Sequence, residues 1–297
     1  MKYLFVLLFT IICNVAHSSA LSPGFLARYK EQIVADTDTV FRKRSISVGT
    51  SYGSDVLFFG RTGPIKYPFV STDAIYNFKS GVFMYGSAVT VLGYNNLIDE
   101  YDLGAGYLYH YSKKFSGAIS YSRFLFNKDA AAVIKSASSN DINFKNSFDW
   151  NIAKTSVVFD YLFGYQNDYF ITLNTSKYIE TSWSIFDDQD YLSFNPSVNL
   201  ILGTQNFVQK YSSAHPEKFE LFNFGVPGPD DGSLLIPPYD NGRFRALNYS
   251  IKLPIAYNRP HYTFEASWKY AIPVNVEGAL KNRHEVFFNL TFYYIFF

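Results

Sequence analysis

The last eleven residues read Phe287, Phe288, Asn289, Leu290, Thr291, Phe292, Tyr293, Tyr294, Ile295, Phe296 and Phe297, an almost unbroken aromatic and aliphatic run. The run is shorter than the roughly 20 apolar residues of a membrane-spanning helix, and its aromatic content favours a strand. An apolar strand left at a free edge invites aggregation with other chains. A closed antiparallel barrel removes the edge, because its last strand pairs with its first. The ending therefore demands a closed sheet with an apolar outer surface.

The rest of the chain repeats the period of two that such a sheet needs. Ile46, Val48, Thr50 and Tyr52 alternate with Ser47, Gly49 and Ser51. Leu192, Phe194, Val198, Leu200 and Leu202 are set against Ser193, Asn195, Ser197 and Asn199. Near the end, Tyr262, Phe264, Ala266, Trp268 and Tyr270 oppose His261, Thr263, Glu265, Ser267 and Lys269, so the charges of that segment share one face. A Lys or Arg facing lipid at the bilayer midplane costs about 2–4 kcal/mol, which assigns the charged face to the lumen.

About twelve such segments are predicted, at 45–54, 68–78, 82–92, 99–111, 115–126, 142–152, 154–163, 169–183, 191–203, 244–257, 261–272 and 283–297. The count is even, as a single-chain barrel requires. Tight turns at Lys79 to Gly81, Ser112 to Lys114 and Asn258 to Pro260 fall on one side. Long connections at 55–67, 127–141 and 204–243 fall on the other, and the short turn from Gly164 to Asp168 departs from this rule. Pro196 and Pro254 stand inside predicted strands, where a missing donor implies bulges or strand ends. In the last strand the apolar parity is Phe288 to Phe296, which turns Phe297 inward unless a bulge intervenes.

Upstream of the strands, Met1 to Ala20 reads as a signal peptide, with a basic start, an apolar run from Leu4 to Val15 and a small-residue cleavage site at Ser18 to Ala20. The only cysteine, Cys13, falls within it, so the mature chain is expected to hold neither a disulfide nor a thiolate metal site. Residues 21–44 form a separate segment. Ser22 and Pro23 suit a helix start, and Phe25, Tyr29 and Ile33 recur at four-residue spacing, so a short amphipathic helix is expected, either a loosely packed periplasmic tail or a plug inserted into the barrel. Residues 45–297 are the barrel. Aromatics make up 20% of the chain and charged residues 17%, against roughly 25% charged in soluble domains. Acidic and basic residues balance once Lys2 is removed, which gives no electrostatic reason to propose a nucleic-acid partner.

From about Ser45 onward the chain resembles Gram-negative outer-membrane β-barrels, on the alternating strands and on the terminal Phe297 after apolar positions. The resemblance implies an all-β, antiparallel transmembrane barrel in the cell outer membrane. It also implies an assembly signal at Tyr293, Ile295 and Phe297, and outer-membrane lipids and the barrel-assembly machinery as partners. It is one of architecture and carries no family's site residues. By parity, Asp73, Asp102, Lys145, Asp149, Asp160, Glu180, Lys252, Glu265, Lys269 and Glu285 are expected to line the lumen, with His110 and His261. The excess of carboxylates suggests either a pore with mild cation preference or charges that pair across strands and fill the interior. Lys252 is expected to stand opposite Glu265 as a cross-strand ion pair.

The function these features indicate is a narrow pathway or binding lumen for small solutes, porin-like in transport. The segment from Thr204 to Arg243 would be its constriction. The alternatives are a barrel enzyme acting on lipids, for which His284 beside Arg283 and Glu285 offers no motif, and a closed structural or adhesive barrel. No catalytic residue, metal ligand or cofactor is assigned.

Overall fold

The computed structural model describes residues 44–55, 59, 66–93, 97–127, 138–164, 167–204, 206, 243–275 and 284–297. They form one closed antiparallel sheet of twelve strands. In chain order these are β1 (Ser45–Gly53), β2 (Phe69–Asn77), β3 (Val82–Val91), β4 (Glu100–His110), β5 (Phe115–Phe126), β6 (Ser138–Asp149) and β7 (Lys154–Gly164). They continue with β8, in two pieces (Asp168–Ser176 and Ile179–Glu180), and β9, also in two (Tyr191–Phe194 and Ser197–Gly203). The last three are β10 (Arg245–Asn258), β11 (Tyr262–Pro273) and β12 (Glu285–Phe296). Each strand pairs with its neighbours in sequence, and β12 closes on β1 from Ile46↔Phe296 to Gly53↔Asn289. The C-terminal apolar strand thus has a partner on both sides, and its edge is gone.

Alternation decides which side chains go inside. In β1, Ser45, Gly49, Ser51 and Gly53 are buried while Ile46, Val48 and Tyr52 are exposed. In β12, Glu285, Phe287 and Thr291 are buried while Val286, Phe288, Phe292, Tyr294 and Phe296 are exposed. The outer wall therefore carries Ile, Val, Leu, Phe and Trp around the sheet, the surface a hydrocarbon solvent covers. Soluble monomers rarely expose contiguous apolar patches beyond a few hundred Å².

Connections sort into two rims. Strand ends leave 78–81, 111–114, 150–153, 181–190 and 259–261 at a turn rim, and 54–68, 92–99, 127–137, 165–167, 204–244 and 274–284 at a loop rim. At the turn rim Gly81 adopts φ +89°, which lets the chain reverse between β2 and β3. Asn151, at φ 70°, reverses it between β6 and β7, where its amide donates to Asp149 Oδ1 at 2.7 Å.

Both prolines sit in one seam of the wall. Pro196 lies in the gap between the two pieces of β9, and Pro254 lies opposite that gap in an otherwise continuous β10. The Asn195 amide still donates to the Pro254 carbonyl at 3.5 Å, and the return bond that Pro254 cannot make falls at the gap. The interruption passes on to β8, whose Lys177 amide donates to the Pro196 carbonyl at 3.1 Å. The lost donors are thus grouped rather than scattered through intact ladders.

Three expectations need correction. β6 begins at Ser138 rather than near residue 142, with a bulge between Ser138 and Asn140. The final strand has no register shift, and Phe297 lies beyond its end, exposed, with its ring centroid 5.9 Å from that of His261. The strand has simply ended before the inward parity applies. Lys252 stands opposite Lys269, and Glu265 stands opposite Ala256. The turn at 259–261 sets that register four residues away from the expected one. The signal peptide, and the 21–44 segment apart from Arg44, lie outside the described residues.

Candidate functional site in the lumen

Glycines set how closely the inner wall packs. Tyr85 of β3 lies across Gly104 of β4, where a Cβ would run into its ring, and its hydroxyl reaches Ser122 of β5 at 2.5 Å. Tyr293 of β12 lies across Gly49 of β1 in the same way, with Asp73 of β2 beside it. A ring leaning over a glycine fills the inner surface where any side chain would push it out. The same device works outside, where Tyr109 crosses Gly117 to donate to Asn146 at 2.7 Å.

Toward the loop rim the lumen is apolar and acidic together. Phe59, from the connector after β1, stacks on Phe170 with centroids 3.7 Å apart and planes at 14°. Both belong to a buried cluster with Leu162, Ile201 and Leu247. Four carboxylates at this level accept hydrogen bonds. Asp168 Oδ1 accepts from Thr204 Oγ1 at 2.6 Å and from the Asn206 amide at 2.8 Å, fastening the root of the longest connector. Asp55 Oδ1 accepts from the Tyr67 amide at 2.9 Å and ties the two ends of its own connector together. Asp160 accepts from Asn143 at 2.6 Å, and Asp102 accepts from Ser87 at 3.0 Å.

The residues assigned to the lumen by parity therefore fall into three groups. Asp73, Asp102, Lys145, Asp160, Lys269 and Glu285 are buried on the inner face. Lys252 and Glu265 are there too but keep contact with solvent, with side chains 24% and 13% exposed, and Lys252 Nζ lies 3.3 Å from Glu265 Oε1. Asp149 and Glu180 lie on the strands at the turn rim. Asp149 caps the turn at Asn151, and Glu180 is exposed in the short outer piece of β8. Both are the last paired residues of their strand pieces, opposite Lys154 and Ser193. His110 is exposed at the end of β4.

His261 stacks near Tyr294, and its Nδ1 lies 3.4 Å from the Ile295 carbonyl. His284 contacts the Tyr270 hydroxyl. These histidines sit among rim aromatics. Among the assembly residues, Tyr293 is on the inner face and Ile295 donates its amide to the His261 carbonyl at 2.7 Å. The segment expected as a constriction, Thr204 to Arg243, is described only at its two ends.

Sequence reasoning missed two features. Phe59 escaped because the aromatics of a long connector carry no periodic signal. The juxtaposition of Lys252 and Lys269 escaped because it depends on register across a turn. Outside the strands, the turn rim has one tightly held acid, Asp190. Burial opposes its ionisation, but the Ile185 amide at 2.6 Å, the Tyr257 hydroxyl at 2.9 Å and the Phe186 amide at 3.0 Å outweigh it. They hold its carboxyl below the usual value.

No protein-family model matches the sequence, and no curated protein sequence matches it. Solved structures of similar shape include a KdgM porin, at 8% identity and a TM-score of 0.47, covering 84% of this chain and 99% of the porin. The NanC porin aligns at 9% identity and a TM-score of 0.44, covering 84% of this chain and 98% of that one. LpxR from Salmonella typhimurium aligns at 9% and 0.41, covering 84% of this chain and all of its own, 100%. At these identities and scores the likeness concerns overall shape.

Proposed function

We propose that this chain is secreted by a cleaved signal peptide and assembled into the outer membrane, where its lumen is a narrow pathway or binding cavity for small polar solutes. The observation that carries the reading is the division of the closed wall into an apolar outside and a polar, charged inside. A barrel of eight strands is just filled by side chains and one of sixteen leaves a channel, so twelve strands allow a constricted passage. The Phe59 and Phe170 stack supports a constriction near the loop rim. Lipids on the outer wall and the assembly machinery at the C-terminal strand are the partners this location implies.

Single-channel recording of the refolded protein in planar bilayers tests the pathway. Wild type is expected to conduct weakly, and Phe59→Ala to conduct more. Silence from both would leave the barrel as a structural or enzymatic wall.

A further inference from the structure

We propose that Arg123, held on the outer wall by Asn140 and Tyr121, binds the phosphate group of a membrane lipid in the leaflet at the loop rim; this deepens the outer-membrane reading and rests on it. Among the charged residues of the described strands, Arg123 alone points outward from within the wall, in the exposed column of β5 between Tyr121 and Leu125. His110 and Glu180 are also exposed, but at strand ends on the turn rim. A lipid-facing arginine is costly at the bilayer midplane and tolerated near an interface. Arg123 lies three residues from the loop-rim end of β5. The next outward row toward the midplane holds Tyr121, Tyr161 and Tyr169, side chains that favour the headgroup level.

The guanidinium is fixed without being neutralised. Its Nη1 donates to Asn140 Oδ1 at 3.1 Å, directly across the ladder, and the Tyr121 hydroxyl donates to the same oxygen at 2.7 Å. Asn140 is buried, and its Nδ2 donates to the Phe163 carbonyl at 3.2 Å and to Ser139 Oγ at 3.1 Å, which turns the amide oxygen toward Arg123. An amide oxygen carries no net charge to balance an arginine, and the remaining N–H groups of the exposed guanidinium stay open.

That fork matches the oxygens of a phosphate, the counter-charge a bilayer supplies at headgroup level. The acyl chains of the same lipid would run toward the midplane over Ile119, Ile142 and Phe144, all exposed on neighbouring positions of β5 and β6. Within the described strands no carboxylate points outward from the wall, so the wall of a second copy offers no counter-charge in its place.

The probe is phosphatidic acid, titrated into the refolded full chain in non-ionic detergent and followed by native mass spectrometry, with diacylglycerol of the same acyl chains as reference. Wild type is expected to hold phosphatidic acid at least about tenfold more tightly than diacylglycerol, and Arg123→Gln to lose that preference, the fold-change of one lost charge-assisted contact. Arg123→Lys keeps the charge without the fork and should retain part of it, whereas a role confined to the Asn140 hydrogen bond would leave the lipid preference unmoved in every variant. Inorganic phosphate should not displace the bound lipid, whose chains add to its hold. Equal binding of the two lipids by wild type, a preference unchanged in Arg123→Gln, or displacement by inorganic phosphate overturns the proposal. Failure of wild type to insert into phosphatidylcholine vesicles sinks instead the outer-membrane reading beneath it.

Discussion

The two levels of the lumen treat charge in opposite ways. Near the loop rim, Asp55, Asp102, Asp160 and Asp168 are buried and spend their oxygens on Tyr67, Ser87, Asn143, Thr204 and Asn206. At mid-wall, Lys252 and Glu265 face each other at 3.3 Å with solvent still in reach, and Lys269 stands across the ladder from Lys252. The first level uses charge to fasten connectors and strands. The second presents charge to whatever occupies the lumen. A tally of lumen carboxylates suggests cation preference, yet most of those carboxylates are buried, whereas the paired Lys252 and Glu265 keep solvent in reach.

The largest effect that would separate the levels is on stability. Asp168→Ala strips two donors of a buried acceptor and should cost about 2–4 kcal/mol in urea-induced unfolding from lipid vesicles. Glu265→Ala breaks a partly exposed pair and should cost about 1 kcal/mol or less. Equal losses would erase the distinction between a fastening carboxylate and a presented one. Next in size, Gly104→Ala should cost roughly 1–3 kcal/mol, because its Cβ meets the Tyr85 ring and forces it away from Ser122. Tyr85→Phe, which keeps the ring and drops only the hydrogen bond, should cost less, about 1 kcal/mol. If the order reverses, the hydroxyl rather than the close approach organises that wall.

The smallest effect concerns the turn rim, which serves as a third point of reference. A carboxyl whose folded value is depressed stabilises above its unfolded value, and that contribution fades as pH falls through the folded value. Order in the 181–190 connector, followed by a probe on Trp183, should therefore hold at neutral pH and be lost only below the ordinary carboxylate range near 3.9. Tyr257→Phe removes one of the three donors to Asp190 and should move the transition to higher pH. An unmoved transition would mean that the Asp190 cage does not govern the connector.

The period-two alternation and the apolar ending were enough to read twelve strands, their order and the closing pair. Each inward or outward choice is a local matter of burial, repeated at every second residue. For the same reason parity placed Asp73, Asp102, Asp160 and Glu285 inside. Asp149 and Glu180 are the last paired residues of their strands, at the turn rim, and only Phe297 lies one residue past the last pair. Exact register was not legible, although the expected Lys252–Glu265 ion pair does form. Whether Glu265 or Lys269 stands directly opposite Lys252 depends on how many residues the 259–261 turn consumes, and a shift of four keeps every side chain on its own face, so the alternation pattern is blind to it. Likewise the gathering of Pro196 and Pro254 into one seam, and the entry of Phe59 over Phe170, join residues far apart in the chain. The amino-acid sequence by itself determined a closed barrel with an apolar outside, because burial acts residue by residue. Only the tertiary structure decided which charges are locked and which are offered, because that rests on register, and register is a property of strands in pairs.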